Sequence, residues 1–499
     1  MAVLTERLFD VGRSLVARRC FAPTALIGRQ DGTSGTIHQV VNTPLVDFYR
    51  CPESFIDFAL AGAPSSQSTY FGFGKELVCF GRSCGSSSNT INGNKLADLS
   101  EGVTWDGSTL RLPFDPSDIV ENLRRERYAT NGHASKRPLL SRRLVQEVYY
   151  ALRPLLGVSV RKHLQRLFLR DWDSLPFPRW PVDTTVEQLM EKLLSLSMKA
   201  RGIERVPFIW FWPDGALSCA IVTHDVDTKA GCELIPRLME IDTDFDVKAS
   251  FQLIPEGLYK ISNTLVDGIR SAGFEVNLHD LNHDGNLFDG FEKFLARAQS
   301  INRYAHAYSA QGFRSGRLYR NADWYEALDV SYDMSIPNVA HLDPQRGGCC
   351  TVFPYYIGRT LELPVTTVQD YSLFHILGDY SVELWKSQIR LIMRKHGLAS
   401  FIIHPDYSLE RPSLAVYRTL LGYLADLRDE GDLWIALPQD VNHWWRQRSQ
   451  MTLFRENGRW RVRGDGSERA RVACAKLVGD RLDYALDEPQ EGDAPTKPL

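Results

Sequence analysis

The chain carries one set of residue types able to hold a metal ion and move a proton. Thr223-His224-Asp225-Val226-Asp227 closes an apolar run, Leu217 to Val222, that reads as a buried strand. Side chains alternate along a strand, so Asp225 and Asp227 are expected on one side and His224 on the other. Fifty-two residues after Asp227 begins His279-Asp280-Leu281-Asn282-His283. Two histidines four apart can grip one ion from a helical turn or a tight loop. One carboxylate, Asp227, with two imidazoles, His279 and His283, makes a three-ligand set with a position open for water. The spare carboxylate, Asp225, is then placed to take a proton from that water. Each piece alone has an ordinary reading. Asp-Val-Asp at a strand end is usually a turn or helix cap, and a lone HxxxH is more often surface or packing. Their order and combination point to metal. His224, facing away, reads as a satisfied core histidine.

The elements that must position these residues follow from periodicity. From about 205 to 435 short apolar strands alternate with helices, which implies parallel strands with outer helices. The expected strands are Leu217–Val222, Ala249–Leu253, Glu275–Leu278, Gly312–Phe313, Leu361–Leu363, Phe401–Ile403 and Trp434–Leu437. The expected helices include Glu233–Ile241, Thr264–Ala272, Phe291–Ile301, Val382–Lys395 and Ser413–Leu427. Asp225, His279, Arg314 and His404 follow strands at their C-terminal ends, the rim on which an α/β barrel builds its active site. Around this core the chain divides into residues 1–135, a mixed, β-rich region; 136–204, helical, with Leu144, Val148, Leu152 and Leu155 at helical spacing; 205–447, the α/β part; 448–486, a small β appendage; and 487–499, a disordered tail.

Bulk composition narrows the function. The chain has 499 residues, 43% hydrophobic and 24% charged, with net charge -3. That is globular, multi-domain composition, with no field that favours nucleic acid. Nine cysteines are an odd count, and they show no CxxC spacing. The charged first twenty residues do not read as an export signal, and no run is long enough for a spanning helix. The expectation is a reduced, cytoplasmic protein; the amphipathic start (Val3, Leu4, Leu8, Val11, Leu15) reads as a core face before it reads as a peripheral membrane contact. Oligomeric state has no signature. The N-terminal aromatics (Phe48, Tyr49, Tyr70, Phe71, Phe73, Phe80, Trp105) read as core before they read as a sugar-stacking surface. Trp210-Phe211-Trp212 reads as a packing plug.

Taken in order, THDVD (223–227), HDLNH (279–283), FRSG (313–316), YDMS (332–335) and IIHPD (402–406) resemble the five motifs of the polysaccharide deacetylase family, the NodB-homology or carbohydrate esterase family four type. The resemblance covers roughly residues 205 to 440. It implies a distorted (β/α) barrel that binds a divalent ion, most often Zn2+ with Co2+, Ni2+ or Mn2+ also compatible, and hydrolyses N- or O-acetyl groups on sugars. Carried over, Asp227, His279 and His283 ligate the metal and Asp225 is the general base. Arg314 orients Asp225, His404 is the general acid, and Asp333 holds His404 charged. The chain departs from the pattern in three places. Val226 separates the aspartates, the third motif lacks its proline, and no Trp closely follows Asp333, so Tyr332, Ile336 or a residue from elsewhere is left to line the acetyl pocket. Glu362 and Asp370 read as loop carboxylates or as contacts to sugar hydroxyls; His341, Asp343 and His375 read as loop residues before they read as substrate contacts.

The expected activity is hydrolysis of an acetamide on a glycan or its lipid- or nucleotide-linked precursor, in exopolysaccharide or cell-surface glycan biosynthesis. Two alternatives stand beside it. One is an amidohydrolase acting on a non-sugar C–N bond. The other is a non-catalytic carbohydrate-binding protein with a degenerate barrel.

Overall fold

In the computed structural model, residues 43–487 are described apart from 57, 85–95, 108, 130–168 and 170–171. The amphipathic start, the tail, the Leu144–Leu155 repeat and most of the polar loop from Gly81 to Asn94 lie outside the described residues. One strand organises the rest. β1 (Ser218–Val226) is buried at all nine positions, and each fully buried Ile or Val contributes about 1.5–3 kcal/mol. It runs four residues past the expected end, so Asp225 sits inside the strand.

Around β1 lie β2 (Ser250–Leu253), β3 (Glu275–His279), β4 (Gly312–Arg314), β5 (Tyr332–Asp333), β6 (Tyr355–Ile357), β7 (Thr360–Glu362), β8 (Leu398–Ile403) and β9 (Leu433–Ile435). Their spatial order is β6-β7-β5-β4-β3-β2-β1-β8, with β9 also on β1. All pairs are parallel except β6 with β7. β2 pairs with the C-terminal half of β1 and β9 with its N-terminal half. Helices α1 (Lys229–Asp244), α2 (Asn263–Ser271), α3 (Phe291–Ala307), α4 (Glu383–Met393), α5 (Arg411–Asp429) and α6 (Pro438–Gln450) connect or follow the strands. α1 and α2 start where Thr228 and Ser262 accept from the amides of Gly231 and Leu265.

The strand ladder does not run round into a complete barrel; it stops at β8 and β6. The gap beyond β7 is spanned by side chains. Thr366 Oγ1 donates to the Leu398 carbonyl (2.7 Å) and accepts from the Ser400 amide (2.8 Å), and Thr367 Oγ1 donates to the Ser400 carbonyl (2.7 Å). One backbone bond, from the Thr367 amide to the Ser400 carbonyl (3.3 Å), accompanies them, so the chain crosses from β7 to β8 mainly through hydroxyls rather than a regular ladder.

Segments before β1 brace this sheet. Glu126 accepts from Arg320 Nε (2.6 Å) and from the Gly348 amide (2.6 Å), and Asn338 exchanges hydrogen bonds with the backbone of Asp183. Arg205–Ile209 forms a three-stranded sheet with Val472–Val478 and Arg481–Leu486, which ties the C-terminal segment to the approach to β1. Trp210, Phe211 and Trp212 are buried, as are Phe48, Tyr49, Phe71, Phe73 and Phe80, while Trp105 is exposed. Among the described residues no helix is long and apolar enough to cross a membrane.

Candidate metal centre

The register of the parallel strands puts the motif residues at one end of the sheet. Arg314 of β4 lies beside His279 of β3, and Asp225 of β1 lies beside Gln252 of β2. Tyr259 fixes the turn between the two aspartates: its hydroxyl donates to the Val226 carbonyl (2.7 Å) and accepts from the Ile254 amide (2.9 Å). Both carboxylates therefore face the same imidazole. His279 Nε2 lies 3.2 Å from Asp227 Oδ1 and 3.8 Å from Asp225 Oδ2. His283 Nε2 lies 3.7 Å from the same Asp227 oxygen. One ligand atom from each of Asp227, His279 and His283 falls within 4.8 Å of the others.

The protons show what this cluster is built for. His279 Nδ1 faces the Arg314 carbonyl at 3.1 Å, and a carbonyl only accepts, so Nδ1 carries hydrogen. The lone pair of the neutral ring is then on Nε2, aimed at an acceptor. Asp227 Oδ1 is buried and has no hydrogen-bond partner. Acceptors converging on one point need a cation between them, and tetrahedral bonds of about 2.0 Å place ligand atoms about 3.3 Å apart. The field agrees. Burial acts against a charged imidazole at His279, yet Asp225 and Asp227 outweigh it and raise its pKa. Burial acts to raise Asp227, yet His283, His279 and His404 hold it far below the usual carboxylate range. The residues fit a divalent ion.

Close packing makes the approach possible. Asp280 and His283 both adopt left-handed backbone (φ 57° each). A Cβ at Gly316, the last residue of FRSG, would lie 2.5 Å from Asp280 Oδ2 and 2.8 Å from His283 Cδ2. Glycine is thus required by its neighbours.

Asp225 and His404 flank the cluster with separate partners. Arg314 Nη1 donates to Asp225 Oδ1 (2.7 Å) and to Thr223 Oγ1 (2.7 Å), and its Nε donates to the Met334 carbonyl (3.0 Å). Burial alone would raise the Asp225 carboxyl, but Arg314, then His279 and His404, hold it below its ordinary value. Asp225 Oδ2 remains directed at the cluster. On the other side His404 Nε2 lies 3.8 Å from Asp227 Oδ2.

The carboxylate behind His404 is not Asp333. His404 Nδ1 donates to Asp370 Oδ1 (2.6 Å), while the His404 amide (2.7 Å) and Ser408 Oγ (2.8 Å) both donate to Asp370 Oδ2. Burial disfavours the charged ring, but Asp370 outweighs it and pushes His404 up to about 10. Asp333 instead accepts from the Ser335 amide (2.9 Å) and hydroxyl (2.8 Å) and lies in register with Glu362. Burial raises both acids by disfavouring the charged form, and the neighbouring Asp333 raises Glu362 further. The reason for the correction is lateral order: β5 is far from β8, whereas the segment after β7 crosses to it. From the sequence Asp370 reads as a loop carboxylate or as a contact to sugar hydroxyls, not as the partner of His404. The only sequence signal for it was a polar residue closing the apolar-flanked Thr366-Thr367-Val368 stretch.

Other expected residues lie elsewhere. The Tyr332 hydroxyl bonds Glu275 and Asn277 and so turns away from the site. His224 Nε2 pairs with Asp242 (2.8 Å), which also accepts from Tyr417 (2.6 Å), all fully buried. His341 packs on Trp180 and bonds the Pro178 carbonyl, and Asp343 accepts from Gln369.

No protein-family profile matches the chain, and no curated protein matches it. Solved structures do. A protein from Mycobacterium smegmatis described as a polysaccharide deacetylase aligns at 18% identity over 48% of this chain and 93% of its own, with a TM-score of 0.39. The PuuE allantoinase aligns at 13% identity over 47% and 92%, with a TM-score of 0.38. A CE4 family pseudoenzyme from Bacillus anthracis aligns at 16% identity over 46% and 66%, with a TM-score of 0.27. At TM-scores under 0.5 these likenesses carry no argument for activity. Among solved structures, then, the chain is similar to polysaccharide deacetylases and CE4 family members over about half its length.

Proposed function

We propose that this chain is a metal-dependent hydrolase that removes the acetyl group from an N-acetyl, or O-acetyl, sugar of a glycan or glycan precursor, in assembly of a cell-surface glycan. One observation carries the reading. The acceptor atoms of Asp227, His279 and His283 converge on one point, with a carboxylate on one side and a carboxylate-backed histidine on the other. Asp227, His279 and His283 would hold the ion. An oxygen and two imidazole nitrogens suit zinc first, with cobalt, nickel and manganese compatible. When bound there, such an ion supplies Lewis acidity, which makes water a nucleophile at neutral pH and polarises the scissile carbonyl.

The chain's own residues do the proton work. Asp225 takes the proton of the attacking water at Oδ2, the oxygen that Arg314 leaves open. Arg314 holds that carboxylate ionised and fixed. His404 delivers a proton from Nε2 to the leaving nitrogen, which is too basic to depart as an anion. Asp370 holds the ring in place with its proton on the correct side.

The test combines metal analysis with acetate release from acetylated oligosaccharides. Purified protein should carry about one equivalent of divalent metal. His279→Ala and His283→Ala should lose it. Asp225→Asn should keep the metal and lose nearly all acetate release. Hydrolysis of small cyclic amides in preference to acetylated sugars would replace this reading with the non-sugar amidohydrolase. Glycan binding with no hydrolysis for Asp225→Asn to remove would replace it with the binding protein.

A further inference from the structure

An aromatic wall stands beside His404 that none of the motifs contains. The turn that follows β8, Pro405–Ser408, carries Tyr407, half-buried, with its ring centroid 5.1 Å from the His404 imidazole. Two more rings brace it. His375 meets Tyr407 edge-on at 5.0 Å and 87°, and Tyr371 packs at 5.3 Å and 53°. Tyr371 and His375 also touch each other, at 5.2 Å and 71°. His375 belongs to a π-helical turn, Ser372–Leu377, that Tyr371 opens. Such turns are rare and re-aim the side chains they carry. Tyr371 directly follows Asp370, the carboxylate that holds His404. One short segment therefore fixes both the acid and the ring beside it.

We propose that Tyr407, braced by His375 and Tyr371, is the wall on which the sugar ring bearing the acetamide stacks. The inference rests on the deacetylase reading and names the part of the substrate that this side of the site recognises. Its logic is distance. A proton passes from His404 to the leaving nitrogen across a hydrogen bond of about 3 Å. The ring carbon that carries this nitrogen is about 1.5 Å further on. The sugar must then lie beside the group packed against the imidazole, within the 4.5–7 Å centroid range at which rings make productive contact. Tyr407 offers that contact, and its two ring neighbours, His375 edge-on and Tyr371 tilted, keep its plane from rotating away. The apolar C–H face of a pyranose is the complementary surface.

Binding reads this out separately from turnover. In the zinc-loaded Asp225→Asn protein, which does not consume its ligand, the dissociation constants of N-acetylglucosamine and N-acetylgalactosamine tetramers are measured by calorimetry. Tyr407→Ala should weaken binding of at least one of them by about tenfold, with zinc content unchanged. Tyr407→Phe, which keeps the ring, should stay within about twofold. Tyr407→Leu should lose as much as the alanine variant, and it keeps the test open if alanine compromises folding. In otherwise unmodified protein the same substitutions should raise KM more than they lower kcat. Unchanged affinity in Tyr407→Ala and Tyr407→Leu overturns the wall, as does a phenylalanine variant as weak as alanine. A parent protein that carries metal yet binds neither tetramer refutes the acetamido-sugar reading itself, and the wall falls with it.

Discussion

Replacing Asp370 by Asn tests the acid side of the site most sharply. The carboxylate accepts four hydrogen bonds, from His404 Nδ1 and the Tyr371 amide on one oxygen and from the His404 amide and Ser408 hydroxyl on the other. Asn has one acceptor oxygen, and either way round its NH2 is set against a backbone amide. Asn also carries no charge, and Asp370 is what outweighs burial at the His404 ring. Without that charge the ring becomes neutral, a weak acid at the position where a strong one is needed. General acid–base catalysis contributes about 10²- to 10⁴-fold, so kcat should fall by that factor, roughly 3 to 5 kcal/mol of barrier. KM and metal content should change little. Nitrogen-15 NMR of labelled histidine reports the ring's protonation directly and needs no substrate: the His404 ring should change from doubly protonated to neutral. Asp333→Asn is the matched control, since Asp333 bonds Ser335 rather than His404, and it should leave kcat within about threefold. A wild-type kcat in Asp370→Asn, or an equal loss in Asp333→Asn, would refute the assignment.

Three other substitutions probe the surroundings. Gly316→Ala places a methyl 2.5 Å from Asp280 Oδ2 and 2.8 Å from His283 Cδ2; the displaced imidazole should weaken zinc binding by about tenfold or more in a chelator competition, the scale of losses around metal ligands, with the fold retained. Asp242→Ala leaves His224 Nε2 and the Tyr417 hydroxyl buried without their shared partner; it should cost about 3 kcal/mol in chemical denaturation, and a cost below 1 kcal/mol would show the network to be dispensable. Asp343 gives a pH dependence. Burial pushes its carboxyl up to about 6, with Arg320 opposing, whereas the unfolded chain titrates near 3.9. The unfolded state therefore loses this proton first, and the ionised group costs stability increasingly from about pH 4 to pH 6 and constantly above. Asp343→Asn should gain in melting temperature relative to wild type across that window and show a flat difference at higher pH; a difference that shrinks as pH rises would contradict the burial argument.

Residues at the ends of strands were legible because their signals are local. Alternation placed Asp225 and Asp227 on one side, and the boundaries of β2, β3 and α2 fell within a residue or two of expectation. His224 was correctly set apart, since a buried position opposite the site leaves a histidine needing a partner, and Asp242 supplies it. Long-range geometry was not legible. β5 is two residues long and makes no pattern. Arg205–Ile209, interrupted by Pro207, was not read as a strand, because its partner lies more than 260 residues further along the chain. Asp370 reads as a loop carboxylate or a sugar contact because nothing within its own segment says that Thr366 and Thr367 carry the chain across to β8.

Lateral order explains both what was legible and what was not. Neighbouring strands lie about 4.8 Å apart, so in a flat sheet β4, three places from β1, would stand about 14 Å away. A stretched arginine covers about half of that, yet Arg314 Nη1 reaches Asp225 at 2.7 Å. The curl of the sheet must supply the rest, and it brings His279 of β3 inward by the same movement. Asp333 on β5 is five places from β8, about 24 Å along the sheet, and an aspartate is too short for curl to bring it to His404. Only a carboxylate arriving from the open side can serve there, which is where the segment after β7 delivers Asp370. Asp225 is therefore positioned through the sheet and His404 across its gap. Loosening the Thr366–Thr367 crossing should for this reason impair His404 while leaving the metal ligands and the Arg314–Asp225 pair in place.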